Sequence, residues 1–482
     1  MNLFYRPKNA WVGDLIPYWE DGQYYAFYLH DPRIKKGEYA EETTWYLVTT
    51  RDFVNFTEHG EAIARGGDNQ PNKNIYTGSV IKGIDGLYYA YYTAFNDQYR
   101  FNGESRQSIM VAKGKDLFHL ETDESFIFQA DDKLYGNFDW RDPFVFWNEE
   151  EHCYWMLLAA RLKSGGSHRG GCIALCKSVD LKRWDYAEPF YAPNMYITME
   201  CPELFYMNGF WYLVFSTFSD RFVTHYRMSR SLGGPWIIPA QDSFDSRANY
   251  AIKTASDGKR RFAFGWIASK SGAVDQGDWD WGGTMMIHEI KQDPATRLLR
   301  VAPPEAPAAF YSKKQPVESW SFFNAEKIPA QTGCKFRSHT LGAALTPVHG
   351  DCFALDLELE VGGESEFGIA LHTDPGMENG YFLRMDSVSG IAAWDLWPRI
   401  SPGKYQWQIA GDKPYMLETA VRFKKRPVYR FKIIREKEIA VVYINGETVL
   451  SAPLYNFKGG YGGPYIVQDE MHIRVCTINT LN

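Results

Sequence analysis

A short turn followed by an aromatic strand recurs five times in this chain, and no other feature restricts its fold as much. The copies are Asp21-Gly22-Gln23-Tyr24-Tyr25, Asp85-Gly86-Leu87-Tyr88-Tyr89, Glu151-His152-Cys153-Tyr154-Trp155, Asn208-Gly209-Phe210-Trp211-Tyr212 and Asp257-Gly258-Lys259-Arg260-Arg261-Phe262. Their anchors, Tyr25, Tyr89, Trp155, Tyr212 and Phe262, lie 64, 66, 57 and 50 positions apart, which leaves room for four short strands per copy. A second signature follows the first three: Arg51-Asp52-Phe53-Val54-Asn55-Phe56, Lys115-Asp116-Leu117-Phe118-His119-Leu120 and Val179-Asp180-Leu181-Lys182-Arg183-Trp184, with a degenerate form at Leu232-Gly233-Gly234-Pro235-Trp236. It reads as the turn between a third and a fourth strand. Four-stranded units repeated radially make a β-propeller, and five copies predict five blades.

The pattern fades after Trp281-Gly282-Gly283, and Val301-Ala302-Pro303-Pro304-Glu305-Ala306-Pro307 breaks regular structure by composition. Beyond it, Cys352 to Glu360 alternates apolar and polar residues, and Ile439 to Gly446 reads as a strand ending in an Asn-Gly turn. The chain is therefore expected to be all-β: a five-bladed β-propeller over 1–305, a linker over 306–316 and a C-terminal β-sandwich over 317–482. Packing against the propeller is the expected role of the sandwich. Trp394, Trp397 and Trp407 offer a surface for carbohydrate or for a second copy of the chain, a route to a homo-oligomer.

The formal net charge of −7 supplies no basic footprint for nucleic acid or an anionic membrane. No stretch reaches eighteen apolar residues, and Met1 to Pro7 has no apolar leader character. Seven cysteines without a CxxC pair point to free thiols in a reducing compartment, so the expected location is cytoplasmic.

Three acids open apolar runs that precede aromatic strands: Asp14 in Trp11-Val12-Gly13-Asp14-Leu15-Ile16-Pro17, Asp142 in Asp139-Trp140-Arg141-Asp142-Pro143-Phe144, and Glu200 in Thr198-Met199-Glu200-Cys201-Pro202-Glu203. They lie 11, 13 and 12 positions before their anchors, which places them at one structural position in three copies of one unit. The first strand of each blade lines the central channel, so the acids should converge. The second and fifth copies contribute polar and aromatic groups there instead, Thr77 and Ser79 from Ile75 to Val80, and Tyr250 from Ala248 to Ala251. Paired carboxylates cleave glycosidic bonds, one attacking or activating water and the other protonating the leaving oxygen. Their separation is about 5–5.5 Å for retention and about 6.5–9.5 Å for inversion. Glu200, between Met199 and Cys201, is the expected raised-pKa acid. Asp14 is the expected ionised nucleophile, and Asp142 should stay ionised beside Arg141.

Trp140-Arg141-Asp142-Pro143 resembles the Arg-Asp-Pro motif of glycoside hydrolase family 32, the β-fructofuranosidases, and Met199-Glu200-Cys201-Pro202 resembles its Glu-Cys motif. Ile75 to Val80 resembles the family's Ser-Gly-Ser segment, Phe264-Gly265-Trp266-Ile267 a late-blade strand, and Trp281-Gly282-Gly283 the segment that closes the propeller. The resemblance implies Asp14 as nucleophile, Asp142 as transition-state stabiliser and Glu200 as acid/base in a retaining mechanism without a metal or other cofactor. Trp45 resembles the family's early Trp near the sugar, and Arg141, Thr77, Ser79, Tyr250 and Trp281 are the other expected groups about a small carbohydrate substrate. The chain departs from the family's Trp-Met-Asn-Asp-Pro-Asn-Gly motif: Gly13 stands where the Asn before the nucleophile belongs, and Leu15, Ile16 and Pro17 follow. Leu29 replaces a sugar-binding Gln, and nearby His30 is the candidate replacement contact.

The expected function is release of fructose from short β-fructofuranosides such as sucrose, inulobiose or fructo-oligosaccharides. An inverting arabinosidase or xylosidase of the related family 43, a fructosyltransferase and a non-catalytic sugar-binding protein are the alternatives. Clustered acids can also hold Ca²⁺, but the chain has no Asp-rich loop of the usual spacing.

Overall fold

Each turn-and-aromatic copy forms the hairpin between the first and second strands of an antiparallel four-stranded unit. The computed structural model describes residues 3–33, 43–101, 103–104, 106–396 and 421–481. The innermost strands are Trp11–Glu20, Asn74–Lys82, Tyr135–Asn148, Glu200–Met207 and Asn249–Ser256. The anchors all fall on second strands: Gln23–Asp31, Tyr88–Phe95, Cys153–Leu162, Phe210–Thr217 and Arg261–Lys270. Four units have four strands, and in the fourth unit the bridges His225↔Ser243 and Met228↔Ile237 replace the outer one. Each innermost strand packs on the next, and the fifth meets the first, so five blades close around a channel. The Val12↔Gly283 bridge fuses the sheets of blades five and one.

The second sequence signature has a plain local cause. Asp52, Asp116 and Asp180 each accept two backbone N–H groups two and three residues on, which nucleates the turn after the third strand.

Two antiparallel sheets make up the C-terminal sandwich. On Cys352–Val361, Phe353, Leu355, Leu357, Leu359 and Val361 face inward, as period-two alternation requires, and they join its core. The expected linker over 306–316 is not one: Glu305–Ala309 is a helical turn, and Lys313–Pro316 pairs with Glu470–Thr480. The chain thus enters the sandwich sheet before residue 317. Trp394 is buried in the sandwich core and is not a surface contact, while Trp397 and Trp407 lie outside the described residues. A further apolar cluster joins propeller residues such as Tyr226 and Met286 to Ile434, Val441 and Tyr443 of the sandwich. All seven cysteines are free, six of them buried.

Candidate active site

The channel chemistry is set by a backbone irregularity repeated in every blade. On each innermost strand two residues oppose one on the second strand: 13 and 14 against Leu29, 76 and 77 against Thr93, 142 and 143 against Leu158, 201 and 202 against Phe215, 251 and 252 against Gly265. Such bulges bend a strand and re-aim its side chains. Asp142, Cys201 and Ala251 occupy the first bulge position with φ of 59°, 49° and 52°, left-handed values that non-glycine residues adopt at a cost. The N–H groups released from the ladder find side-chain acceptors on the preceding blade: Asp142 N donates to Thr93 Oγ1 (2.8 Å), Cys201 N to Asp142 Oδ2 (2.9 Å) and Ile252 N to Thr224 Oγ1 (3.1 Å).

This register corrects one expectation. The three acids do not share one position: Glu200 precedes its bulge, Asp142 is first in it and Asp14 second. The structure nevertheless brings them together. Residue 201 touches two of them, its N–H on Asp142 and its Sγ 3.8 Å from Asp14 Oδ2, and is bonded to the third.

Asp14 accepts hydrogen bonds from the Thr77 hydroxyl and from Trp266 Nε1 (2.9 Å). Glu200 accepts from Arg141 Nη2 (3.1 Å) and from the Tyr250 hydroxyl (2.7 Å). Arg141 also bonds Asp139 and Thr198 and reaches Asp142 only at 3.9 Å, so it is chiefly the partner of Glu200 and Asp139 rather than of Asp142. Burial raises Glu200, opposed by Arg141 and reinforced by the charge of Asp142. Asp14 is raised as well, to about 6: burial dominates, the Thr77 bond opposes it, and Asp142 adds to it. That lift was not expected of the nucleophile, and it follows from burial beside two other carboxylates, which the bonds from Thr77 and Trp266 offset only in part.

The other expected sugar contacts divide sharply. Thr77 and Tyr250 are buried and bound to the acids, so they position carboxylates. Trp45 is 0 % exposed and donates to the Tyr76 carbonyl at 2.8 Å; it sits on a third strand, away from the channel, and does not line it. Ser79 Oγ accepts Val145 N at 2.9 Å and ties blade two to blade three. His30 stacks on Tyr46 with ring centroids 4.0 Å apart, and among the described residues no hydrogen bond joins it to the three acids. Trp281 does reach the site and is 39 % exposed. A Cβ on Gly13 would stand 2.1 Å from the Trp281 ring, so the glycine beside the nucleophile is the seat of that indole. Arg33 fixes the segment by donating to Asp280 (3.1 Å) and to the Trp281 carbonyl (3.2 Å).

Sequence reasoning did not assign Trp266, Thr93, Glu203 or Lys253. Trp266 pairs across the strands with Tyr250, a register that marks it once the bulge is known. Glu203, the second acid after Glu200, is buried and accepts Thr254 N at 2.7 Å, fastening blade four to blade five. Lys253, buried, spans the channel to the Gly78 carbonyl at 2.6 Å.

The family model "Glycosyl hydrolases family 32 N-terminal domain" matches residues 5–299. The chain belongs to glycosyl hydrolase family 32. It is a glycosidase that hydrolyses O-glycosyl bonds. It is 23% identical over 484 residues to the levanbiose-producing levanase of Bacillus subtilis (strain 168), covering 93% of this chain and 84% of that one. Among solved structures it superposes on the sucrose-6-phosphate hydrolase of Lactobacillus gasseri with a TM-score of 0.73 at 15% identity, over 100% of this chain and 93% of that one. It also superposes on fructan 1-exohydrolase IIa of Cichorium intybus, with a TM-score of 0.73 at 14% identity, over 99% and 96%. These likenesses agree with a propeller followed by a sandwich in this family member.

Proposed function

We propose that this glycosidase releases fructose from the end of short β-fructofuranosides, with retention, through Asp14, Asp142 and Glu200. The observation that carries the proposal is the convergence of three acids from blades one, three and four, each held by its own donors. Asp14 attacks the anomeric carbon while Glu200 gives a proton to the departing oxygen. Asp142, already accepting Cys201 N, receives the hydroxyls of the fructosyl ring. Water then cleaves the glycosyl-Asp14 ester with Glu200 as base. The names of the similar proteins, a levanase and a fructan 1-exohydrolase, support fructosides as the substrate class. Release of free fructose from sucrose, inulobiose and short inulin or levan oligomers tests it, and no turnover of any of them rejects it.

The pH profile carries its own expectation. Asp14 must be ionised to attack, and it is protonated below about pH 6 in the free protein. Glu200 must be protonated, and burial lifts it above its ordinary value. Initial rates should therefore give a bell whose acid limb in kcat/KM lies near pH 6, the limbs belonging to the coupled carboxylates together. An acid limb near pH 4 would contradict the lifted nucleophile.

Trp281 on Gly13 puts an aromatic face where the family motif carries an amide. Trp281→Ala should raise KM for fructosides roughly ten-fold with a smaller change in kcat, because a stacking surface acts on bound sugar and transition state alike. Gly13→Asn, which drives the indole off its seat, should do the same. Initial-rate kinetics on sucrose and inulobiose reads both.

A further inference from the structure

Tyr76 occupies the first bulge position of blade two, the place that Asp142 holds in blade three. Its ring stacks on Phe95 with centroids 6.4 Å apart and planes at 27°, and Phe95 meets Phe138 edge-on at 5.9 Å and 85°. Phe138 is 53 % exposed. Three touching rings thus run from the ring of bulge residues, at the level of the acids, to the rim between blades two and three. Polar groups flank the outer one: Asn137, bonded to Glu104 at 2.6 Å, and Asp139, held by Arg141 and by Arg161 at 3.3 Å.

A single exposed Phe needs no explanation, since scattered apolar residues are ordinary on protein surfaces. Here the exposed ring is joined through Phe95 to Tyr76, whose chain neighbour Thr77 bonds Asp14. Rings beside polar side chains suit a sugar, which offers a C–H face to the ring and hydroxyls to the flanks. We propose that Tyr76, Phe95 and Phe138 form an aromatic ladder that seats additional sugar units of a fructan chain next to the unit being cleaved. This rests on the fructosidase reading and adds a chain-length preference to it.

The test compares kcat/KM on sucrose with kcat/KM on inulin and levan oligomers longer than three units. Phe138 is on the surface, so Phe138→Ala should fold. That variant is expected to lose about five-fold on the oligomers while staying within about two-fold of the native protein on sucrose. Phe138→Trp, which keeps a ring, should retain the oligomer rate. Equal losses on sucrose and oligomers, or no loss on either, would overturn the ladder and leave the fructosidase reading standing. Failure of the native protein to cleave any fructoside would overturn both.

Discussion

Asp14→Asn gives a protein that melts higher than the native one at pH 7 and has lost fructoside turnover by roughly four orders of magnitude or more. The loss of rate follows from removing the attacking oxygen. The gain in stability follows from the environment that makes the residue useful. Burial lifts Asp14 from 3.8 to about 6, Thr77 and Trp266 pull it back only in part, and Asp142 and Glu200 add repulsion. A carboxyl raised in the folded state costs nothing when protonated in both states, begins to destabilise as pH climbs past its unfolded value, and reaches its full penalty above about 6. That penalty is roughly 3 kcal/mol. Asn keeps the shape, its carbonyl can accept from Trp266, and its amide can donate to the Thr77 hydroxyl. Thermal unfolding across pH checks the sign: the variant's advantage should be full at pH 7 and vanish below about pH 4. A variant less stable than the native protein at pH 7 would contradict the buried, ionised nucleophile.

The second large effect belongs to the joint between domains. Asp245, in the loop before blade five, is wholly buried yet accepts from Ser246 N (2.7 Å), Ser451 N (3.0 Å), Ser451 Oγ (2.5 Å), Asn249 Nδ2 (3.1 Å) and His288 Nε2 (3.1 Å). His288 in turn pairs with the Tyr443 hydroxyl of the sandwich at 2.9 Å. Burial pushes the Asp245 carboxyl up, but the His288 bond and the other donors outweigh it and hold the value below the ordinary one. Its contribution is therefore present at neutral pH and is lost only in acid, below the usual carboxylate range. Asp245→Ala strips a partner from several buried donors at once and should cost about 3–5 kcal/mol. Calorimetry should show the native chain unfolding in one transition and the variant at a clearly lower temperature. Unchanged melting would mean that the joint does not hold the domains.

The blades were legible because each begins with the same turn and the same aromatic strand, features that local chemistry imposes. The acids were legible as residues, through the Arg-Asp-Pro and Glu-Cys stretches. Their relative positions were not. A bulge adds one residue without disturbing alternation on either side, and hairpin lengths differ between blades, so spacings of 11, 13 and 12 conceal three distinct positions. The sugar-contact expectations failed for a related reason. Trp45 and Ser79 bear the right chemistry, but one lies two strands from the channel and the other spends its hydroxyl on Val145. The site near Gly13 looked impoverished in sequence, because the ring that fills it comes from Trp281, at the far end of the propeller.

Mass mapping of Glu200→Gln protein, quenched while turning over an activated β-fructosyl fluoride, tests the central claim most directly. With proton donation removed and the leaving group no longer needing it, the glycosyl intermediate should accumulate. The prediction is a hexosyl adduct on the peptide that carries Asp14. An adduct on the Asp142 peptide instead, or turnover with no adduct and an inverted first product, would contradict it.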